Sequence, residues 1–290
     1  MRNIVSVLLV SIILIGCGNN SSNNTAERSY YSNGQLEKER YTNEKNGSDG
    51  SSRTWFENGN LRSESYYKDG EFHGIEKWGY ENGQIKSLRN WKDDKLEGLS
   101  EEWNEDGILF STGSYTDGEK DGLFKEWAIT DGNKFLMSEG NYKDGKEEGL
   151  HRTWSWYKDS DRYLSRERNY KDGEYHGSVI YWESKDQKSF EGNYKDGYGK
   201  GEHRYWDNNG KITDIKNYKN GKSHGKHTVY YDNGQIREEV NFKDGDRNGF
   251  TKKWDKKGAL FFQGNYKDHK KIGKHTYYFE NGQIKSEESY

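Results

Sequence analysis

The sequence predicts an all-β fold, an elongated single-layer antiparallel meander of β-hairpin repeats about 24 residues long that is curled or twisted along its length. Three observations predict it: a glycine that returns at a nearly fixed period, turn dipeptides that alternate in spacing, and aromatic residues at set distances from the glycine. A period of about 20 to 50 residues is typical of arrays in which each repeat packs on its neighbours. The periodic glycines are Gly50, Gly74, Gly98, Gly122, Gly149, Gly177, Gly201, Gly225, Gly249 and Gly273.

Two kinds of turn divide each predicted repeat. Asn-Gly and Asp-Gly dipeptides alternate along much of the chain, and the segments between them suit strands of about six to eight residues better than helices, which usually need ten or more. A type I′ turn needs positive φ at both central residues, which Asn and Gly tolerate. Asn233 and Gly234 therefore predict a type I′ turn, and Asp244 and Gly245 predict the second turn of the same repeat.

Side-chain alternation assigns one apolar face to the predicted sheet. The fifth residue after most periodic glycines is Trp or Tyr, and odd positions after the glycine share one face of a strand. In the return strand an aliphatic residue and, six residues later, an aromatic residue also share parity, as Leu61 and Tyr67 do. Charged residues, serine and histidine are expected on the other, solvated face. The histidines expected there are His151, His203, His227 and His275.

The apolar face needs a cover, because a sheet cannot leave such a face flat in water. Either the chain's own aromatic rings lie over its small residues, or a partner covers them. The sequence leaves both alternatives open.

Composition argues against several classes of function. Lys plus Arg (46) nearly balances Asp plus Glu (49), so no overall positive charge favours nucleic acid as a partner. Equivalent histidines of adjacent repeats are expected about 10 Å apart, whereas zinc holds its ligands at about 2 Å, so no metal site is predicted. Residues 197–201, Gly-Tyr-Gly-Lys-Gly, precede no predicted helix and indicate a turn. We expect no cofactor and no enzymatic activity, because no polar cluster stands outside the repeat pattern.

The N-terminus follows a different pattern. A basic start at Arg2 and an apolar run over residues 4–15 are typical of an export signal, and the run is too short to span a bilayer. Residues 14–17, Leu-Ile-Gly-Cys, resemble the lipobox of bacterial lipoproteins. That resemblance implies a lipoprotein signal peptide over residues 1–17, cleavage before Cys17 and acylation of Cys17, which would hold the protein at a membrane.

The residues after the cysteine predict a domain order. Residues 18–29 are small and polar and predict a flexible tether, and residues 30–290 predict the repeat array. By the rule known for lipoproteins, Gly18 in place of Asp favours the outer membrane or the cell surface within the cell envelope. Cys17 is the only cysteine, so the mature array has no disulfide framework and no thiol nucleophile.

One repeated segment resembles the MORN repeat in its bacterial variant form, which occurs in proteins often labelled YwqK-type antitoxins. Close copies are residues 80–86, 231–237 and 279–285, the first of which reads Tyr-Glu-Asn-Gly-Gln-Ile-Lys. The resemblance implies an extended sheet of hairpins used for protein-protein or membrane-surface association. An antitoxin-like, partner-binding role is an alternative that conflicts with export, because the toxin would be intracellular.

The leading hypothesis is a non-enzymatic, lipid-anchored envelope protein that serves as an interaction scaffold, and the alternative is a carbohydrate or cell-wall binding module. The partner is then a protein or a cell-surface glycan. In the middle of the array the spacing of the periodic glycines lengthens to 27 and 28 residues. Extra aromatic residues there predict a platform for a sugar or a partner side chain, unless the insertion only bulges the sheet. These residues are Trp154, Trp156, Tyr157 and Tyr163.

Overall fold

The structure, a computed structural model, describes residues 24–43, 47–157 and 161–290. β-strand is the regular secondary structure of these residues and their strand pairs are antiparallel, which confirms the predicted all-β fold. Two compact units divide the chain, unit 1 up to Lys146 and unit 2 from Glu147. The described part contains no helix that would be long and apolar enough to cross a bilayer. Residues 1–17, with the predicted acylation site Cys17, lie outside the described residues.

Unit 1 forms one antiparallel meander in its described part. Its strands are β1 (Asn24–Tyr30), β2 (Leu36–Asn43), β3 (Gly50–Trp55), β4 (Leu61–Lys68), β5 (Glu71–Phe72), β6 (Gly74–Gly79), β7 (Ile85–Lys92), β8 (Lys95–Leu96), β9 (Gly98–Trp103), β10 (Leu109–Thr116), β11 (Glu119–Lys120), β12 (Gly122–Thr130) and β13 (Asn133–Lys143).

Unit 2 repeats the same architecture. Its strands are β14 (Lys146–Tyr157), β15 (Asp161–Lys171), β16 (Glu174–Ser184), β17 (Gln187–Lys195), β18 (Tyr198–Trp206), β19 (Ile212–Lys219), β20 (Lys222–Ser223), β21 (Gly225–Tyr230), β22 (Ile236–Lys243), β23 (Asp246–Trp254), β24 (Leu260–Lys267), β25 (Lys270–Tyr278) and β26 (Ile284–Ser289).

The sheet begins earlier in the chain than the sequence predicted. Strand β1 starts at Asn24, within the segment 18–29 that was expected to be a flexible tether, and it pairs with β2. An ion pair accompanies this pairing, since Arg28 Nε lies 2.6 Å from Glu39 Oε1. From Asn24 onward, strand therefore replaces the predicted tether.

The two kinds of turn differ in a way that the sequence did not predict. At the turns that follow the return strands both central residues have positive φ, 53° at Asp244 and 105° at Gly245, as a type I′ turn requires. Asn220 with Gly221 belongs to this kind. At the Asn-Gly loops that precede the return strands only the glycine has positive φ, with 84° at Gly234 after Asn233. The Gly234 N–H donates to Tyr231 O at 2.9 Å, and the Tyr231 N–H donates to Gln235 O at 2.8 Å.

This hydrogen-bond pattern is that of a longer loop, a type I turn followed by a left-handed glycine. The predicted type I′ conformation at Asn233 and Gly234 is therefore wrong. The Asn233 Oδ1 accepts the Gln235 N–H at 3.1 Å, which holds the asparagine in the loop without positive φ.

A bulge beside each Asn-Gly loop separates residues that sequence parity placed together. Thr54 lies opposite Ser63 while Trp55 lies opposite Leu61, so β4 contains one extra residue at this point. Because β3 continues without interruption, Trp55 and Gly50 lie on opposite faces. Tyr67, the partner of Gly50, is thus on the other face from Leu61, and the prediction that Leu61 and Tyr67 share a face is wrong. The same shift occurs in other hairpins of both units.

Two faces can now be defined. The packed face carries the aromatic residue near the end of each return strand, such as Tyr67, and the second residue after each periodic glycine. The open face carries the first, third and fifth residues after each glycine. Rings cover small residues on the packed face: a Cβ added to Gly113 would lie 2.1 Å from the Phe124 ring, and one added to Gly264 would lie 2.7 Å from the His275 ring.

The periodic glycines mark a second irregularity of the backbone. Gly225, for example, has a φ of 88°, which favours glycine. Beside it the Asn217 side chain donates to Lys226 O at 2.7 Å, and the His224 N–H donates to Asn217 O at 2.8 Å. Side-chain amides thus replace sheet hydrogen bonds where the strand bulges. Equivalent amide bonds are made by Asn90, Asn169 and Asn241.

Candidate interaction surface

The residues of the repeated Tyr-x-Asn-Gly-Gln segment hold one repeat to the next. The Tyr80 hydroxyl donates to Trp103 O at 2.9 Å, and the Asn82 amide donates to Glu105 O at 2.7 Å. The same bonds recur 23 or 24 residues apart elsewhere in the array, from Tyr31, Asn33, Asn58, Tyr231 and Asn233. The most recognisable residues of the sequence are therefore occupied by structural hydrogen bonds.

The opposite end of each hairpin has a link of its own. The side chain before most periodic glycines contacts the following turn: Asp49 Oδ1 accepts the Asp69 N–H at 2.6 Å, and His176 Nδ1 lies 3.1 Å from Asp196 Oδ1. We call these contacts edge links. Further edge links join Glu97 to Asp117, Glu148 to Asp172, His73 to Asp93, His224 to Asp244 and Asn248 to Asp268.

The histidines expected on the solvated face are buried instead. His275 is 0 % exposed, and His203 lies between the rings of Tyr194 and Tyr218, with centroids 5.0 and 4.7 Å away. The bulge of each return strand brings the aromatic row to this face, which the parity argument had assigned to solvent. The remaining two, His151 and His227, are buried as well.

Among these histidines, His203 and His227 hydrogen-bond the backbone through Nε2. His203 Nε2 lies 2.8 Å from Asn193 O, and His227 Nε2 lies 2.8 Å from Asn217 O, so Nε2 carries the proton. Burial lowers the pKa of both His203 and His227. In the described residues no three His, Cys, Asp or Glu side chains are placed to hold a metal ion.

Tyrosines on the packed face of unit 2 differ in how easily they ionise. The Tyr175 and Tyr181 hydroxyls lie 3.3 Å apart, and burial raises the pKa of Tyr181 to about 12. Burial likewise raises the pKa of Tyr194. The pKa of Tyr175 is lowered, because burial, which would raise it, is outweighed by hydrogen bonds from its neighbours.

The open face of unit 1 carries a row of exposed aliphatic side chains. Ile75, Leu99 and Leu123 each follow a periodic glycine directly, and they are 52, 46 and 45 % exposed. We call these three residues the aliphatic row. One strand lies between consecutive members, and two strand spacings of about 4.8 Å place them about 10 Å apart. Sequence reasoning missed the row, although comparing the residue after each periodic glycine would have shown it.

Charges of both signs accompany the aliphatic row. Lys77, Glu101 and Lys125 follow its members by two residues on the same face of β6, β9 and β12. Leu88 lies opposite both Lys77 and Glu101, so apolar and charged side chains alternate across the sheet. Protein interfaces combine an apolar centre with a polar rim, and the aliphatic row with charged residues beside it could supply both.

The structure brings only some of the predicted platform residues together. Trp154 and Trp156 share one face of β14, with Arg162 5.0 Å from the Trp154 ring and Trp156 exposed. Tyr163 lies opposite Ser155 and therefore on the other face. The side chain of Tyr157 is outside the described residues. The pair Trp154 and Trp156 thus remains a predicted ligand platform.

Comparison with solved structures finds only remote similarity. Those titled "Crystal Structure of TcdB2-TccC3" and "Crystal Structure of TcdB2-TccC3-TEV" align with 92 % of this chain at 10 and 11 % sequence identity, with TM-scores of 0.21 and 0.19. The chain spans 18 % of the length of each, and TM-scores this low do not show a common fold. No curated protein matches the sequence.

The match to a repeat family is more specific. Six segments match the MORN repeat variant: residues 24–44, 48–69, 72–93, 200–220, 223–244 and 271–290. Together they make up less than half of the chain. The comparisons thus confirm the predicted repeat type, since both units contain segments that match the MORN repeat variant.

Proposed function

We propose that this chain is a non-enzymatic binding scaffold of the cell envelope, anchored by a lipid on Cys17, which holds a protein partner against the open face of unit 1. The aliphatic row carries the proposal. Fully burying an exposed aliphatic side chain contributes about 1.5–3 kcal/mol. Since the three residues of the row are about half exposed, a partner that covers them could gain roughly half of that at each one.

The charges beside the row favour a protein over a bilayer as the partner. A membrane of one surface charge attracts clusters of Lys and Arg. Here Lys77, Glu101 and Lys125 alternate in sign along the row. Complementary charges on a protein surface would match this alternation and fix the register of the complex.

The test replaces the row by serine, the residue that occupies the same repeat position at Ser51 and Ser178. A triple variant Ile75→Ser, Leu99→Ser, Leu123→Ser is compared with Phe250→Ser, an exposed apolar residue at the same position of unit 2. Crosslinking on intact cells should recover one partner with wild type and with Phe250→Ser, and lose it with the triple variant. Equal recovery from all three proteins would contradict the proposal, as would binding of the purified protein to protein-free liposomes that depends on the row.

The lipid anchor has a separate test. Cys17→Ser should move the protein from the membrane fraction to the soluble fraction, because two or more acyl chains are needed for stable anchoring. Fractionation that is unchanged in this variant would remove the anchor from the proposal. An outer-membrane or cell-surface location is then tested by protease accessibility on intact cells.

A carbohydrate or cell-wall ligand is the second candidate function, because Trp154 and Trp156 lie on one face and Trp156 is exposed. Indole rings stack on sugar rings, with Trp among the residues that dominate binding sites. Binding of the purified protein to a glycan array should be lost in Trp154→Ala with Trp156→Ala. Trp78→Ala, another exposed tryptophan, is the control. Retention of glycan binding by the double variant would exclude this platform.

A further inference from the structure

We propose that the open face of unit 2 carries a binding site for an anionic sugar, a sugar acid or sugar phosphate, formed by Asn193, Lys195, Tyr198 and Lys200. The site is separate from the aliphatic row of unit 1 and from Trp154 and Trp156. It includes part of the glycine-rich stretch 197–201. The turn predicted for that stretch explains its glycines but not the side chains of Tyr198 and Lys200.

Strand pairing places the four side chains in one block. Lys195 lies opposite Tyr198 and Asn193 lies opposite Lys200, so all four side chains point to the same face of β17 and β18. Directly opposed residues in an antiparallel pair have Cβ atoms about 5 Å apart, within reach of one small ligand.

A cavity of about 410 Å³ adjoins this block. Asn193, Lys195 and Lys200 line it together with His176 and Tyr194, and Gly177 and Gly201 leave room because they have no side chain. Tyr198 stands beside this lining, opposite Lys195. The volume of the cavity falls in the range of about 300–1,000 Å³ that is usual for small-molecule sites. A bare phosphate ion would leave most of it empty.

The donors of the block are not used by the protein itself. In the described part of the chain neither Lys195 nor Lys200 has a carboxylate within ion-pair distance. Asn193 also lacks the amide bond that Asn169 makes to Ser178 O and Asn217 makes to Lys226 O. Two ammonium groups and one amide therefore face the cavity as available hydrogen-bond donors, which suits an oxyanion.

Two carboxylates near the cavity have other partners. Asp196 Oδ1 lies 3.1 Å from His176 Nδ1, and Glu202 Oε1 lies 2.6 Å from Arg204 Nη2. Glu174 lies against the turn at Gly197 and is not part of the cavity lining. Among the charged residues that line the cavity, Lys195 and Lys200 are the two without a carboxylate partner in the described part of the chain, and they would attract an anionic ligand.

Three positions here depart from the pattern that the other repeats share. At the position of Tyr198 the other repeats from 74 onward have charged residues: Glu71, Lys95, Glu119, Lys146, Glu174, Lys222, Asp246 and Lys270. Lys200 stands where most repeats have an acid or a histidine that forms the edge link, and Asn220 replaces the aspartate of the following turn. In the described residues Lys200 therefore makes no edge link and places a cation at this position instead.

Tyr198 supplies the surface for the sugar ring. Its side chain is 63 % exposed, and its ring lies against Gly221, where an added Cβ would be 2.8 Å from Tyr198 Cδ1. Tyr198 does not line the cavity, but it lies opposite Lys195 and two residues before Lys200 on the same face, so its exposed ring stands next to the donors. An aromatic ring next to polar donors is the combination that binds a sugar carrying a negative charge.

The test titrates the full chain with glucuronate, glucose 6-phosphate, inorganic phosphate and glucose, by calorimetry or by NMR. Glucuronate or glucose 6-phosphate should bind saturably and more weakly as salt is added. Glucose and inorganic phosphate should bind at least about tenfold more weakly, because each lacks either the charge or the ring. Equal binding of inorganic phosphate would overturn the sugar assignment, and absence of saturable binding by all four probes would overturn the site.

Variants then locate the binding. Lys200→Met and Tyr198→Lys should each weaken it about tenfold, whereas Lys171→Met and Lys219→Met, at the position equivalent to Lys195 in other repeats, should not. The double change Lys200→His with Asn220→Asp installs the pair seen at His176 and Asp196. It should preserve the melting temperature and abolish binding. Binding that survives in this protein would contradict the proposal, whatever the result of the partner experiment on unit 1.

Discussion

Units 1 and 2 are built from the same hairpin but fill its packed face differently. Unit 2 buries the hydrophobic side chains of Val179, Phe190, Val240 and Phe262, whereas in the described residues of unit 1 the buried side chains are polar, namely Glu39, Ser65, Glu76 and Ser87. The second residue after the periodic glycine shows the same contrast. It is Ser52, Glu76, Ser100 or Phe124 in unit 1, and His151, Val179, His203, His227, Thr251 or His275 in unit 2.

This difference shows that turns and backbone hydrogen bonds specify the fold. The second residue after the periodic glycine, on the packed face, can be apolar, aromatic, acidic or a histidine. Unit 1 stabilises a buried carboxylate with Arg89 and with the Trp91 Nε1, which lies 3.1 Å from Glu76 Oε2. Unit 2 places a neutral imidazole there and bonds it to a backbone carbonyl. Both arrangements supply hydrogen-bond partners to polar groups that lose contact with water when they are buried.

The largest loss of stability is expected at a feature that both units share, a glycine of the return strand that lies beneath an aromatic ring. Gly264→Val in unit 2 and Gly113→Val in unit 1 should each destabilise the protein by about 3 kcal/mol, because the new side chain would overlap His275 or Phe124. Chemical denaturation of the full chain measures this. Ser65→Ala, at the same repeat position without a ring so close above it, should cost less than about 1 kcal/mol. Equal losses in all three variants would show that ring-over-glycine packing is not what holds the face together.

The next effect separates the units by their hydrogen bonds. His227→Phe gives unit 2 the residue that unit 1 has at Phe124, but it removes the donor to Asn217 O. We expect a loss of about 1–2 kcal/mol at neutral pH. His227→Gln, whose amide can still donate, should recover part of it. A phenylalanine variant as stable as wild type would mean that the imidazole donor contributes nothing.

A pH dependence should distinguish the units further. Burial, with a further contribution from Lys216, lowers the pKa of His227, while Asn217 O and Asp214 oppose the shift, and burial lowers the pKa of His203 between its tyrosine neighbours. The folded state therefore binds fewer protons than the unfolded state. The stabilisation is complete above the unfolded-state pKa of about 6.5 and is lost as the pH falls through the folded-state pKa values.

Hydrogen exchange on the full chain, corrected for intrinsic rates, tests this prediction at pH 7.5 and 5.5. Amides of β18 and β21 should open more readily at the lower pH, and amides of β6 and β9 should change less. His203→Phe with His227→Phe should abolish the difference. An equal acid response in both units would contradict the assignment to the buried histidines.

The smallest effects are expected at the two ends of the hairpins. Asn82→Ala removes the amide bond to Glu105 O and the Oδ1 acceptor of the Gln84 N–H, and should cost about 0.5–1.5 kcal/mol. His176→Ala removes an exposed edge link and should cost no more than about 0.5 kcal/mol. The melting temperatures of the two variants show which substitution costs more stability. A larger loss from His176→Ala would show that the Asp-Gly ends carry the coupling between repeats.

The sequence alone predicted the main strands and their order, because the segments between the alternating turn dipeptides are long enough for strands and too short for helices. It was not sufficient for the faces. Arg62, the extra residue of β4, looks like any other charged residue of a return strand, and only the geometry of the Asn-Gly loop makes it a bulge that moves Tyr67 to the other side. The burial of His227 follows from the equivalent shift in its own hairpin, between Val229 and Tyr230.

The candidate sites were partly visible in the sequence. Reading down one position of every repeat finds Ile75, Tyr198 and Lys200 as apolar or charged departures, since the remaining copies show what the fold alone requires. The sequence could not predict which of these residues share a face. That depends on the register of the strands, in which Lys195 pairs with Tyr198 and Asn193 pairs with Lys200.

The bonds between repeats join residues only 20 to 24 positions apart, as with Asp49 and Asp69 or Tyr31 and Trp55. Assembly can consequently start at any hairpin and spread to its neighbours, without waiting for distant parts of the polypeptide to meet. Duplication or loss of one whole hairpin in a gene would leave every remaining junction intact. The number of repeats is thus a quantity that evolution can adjust in single steps, independently of the residues that choose a ligand.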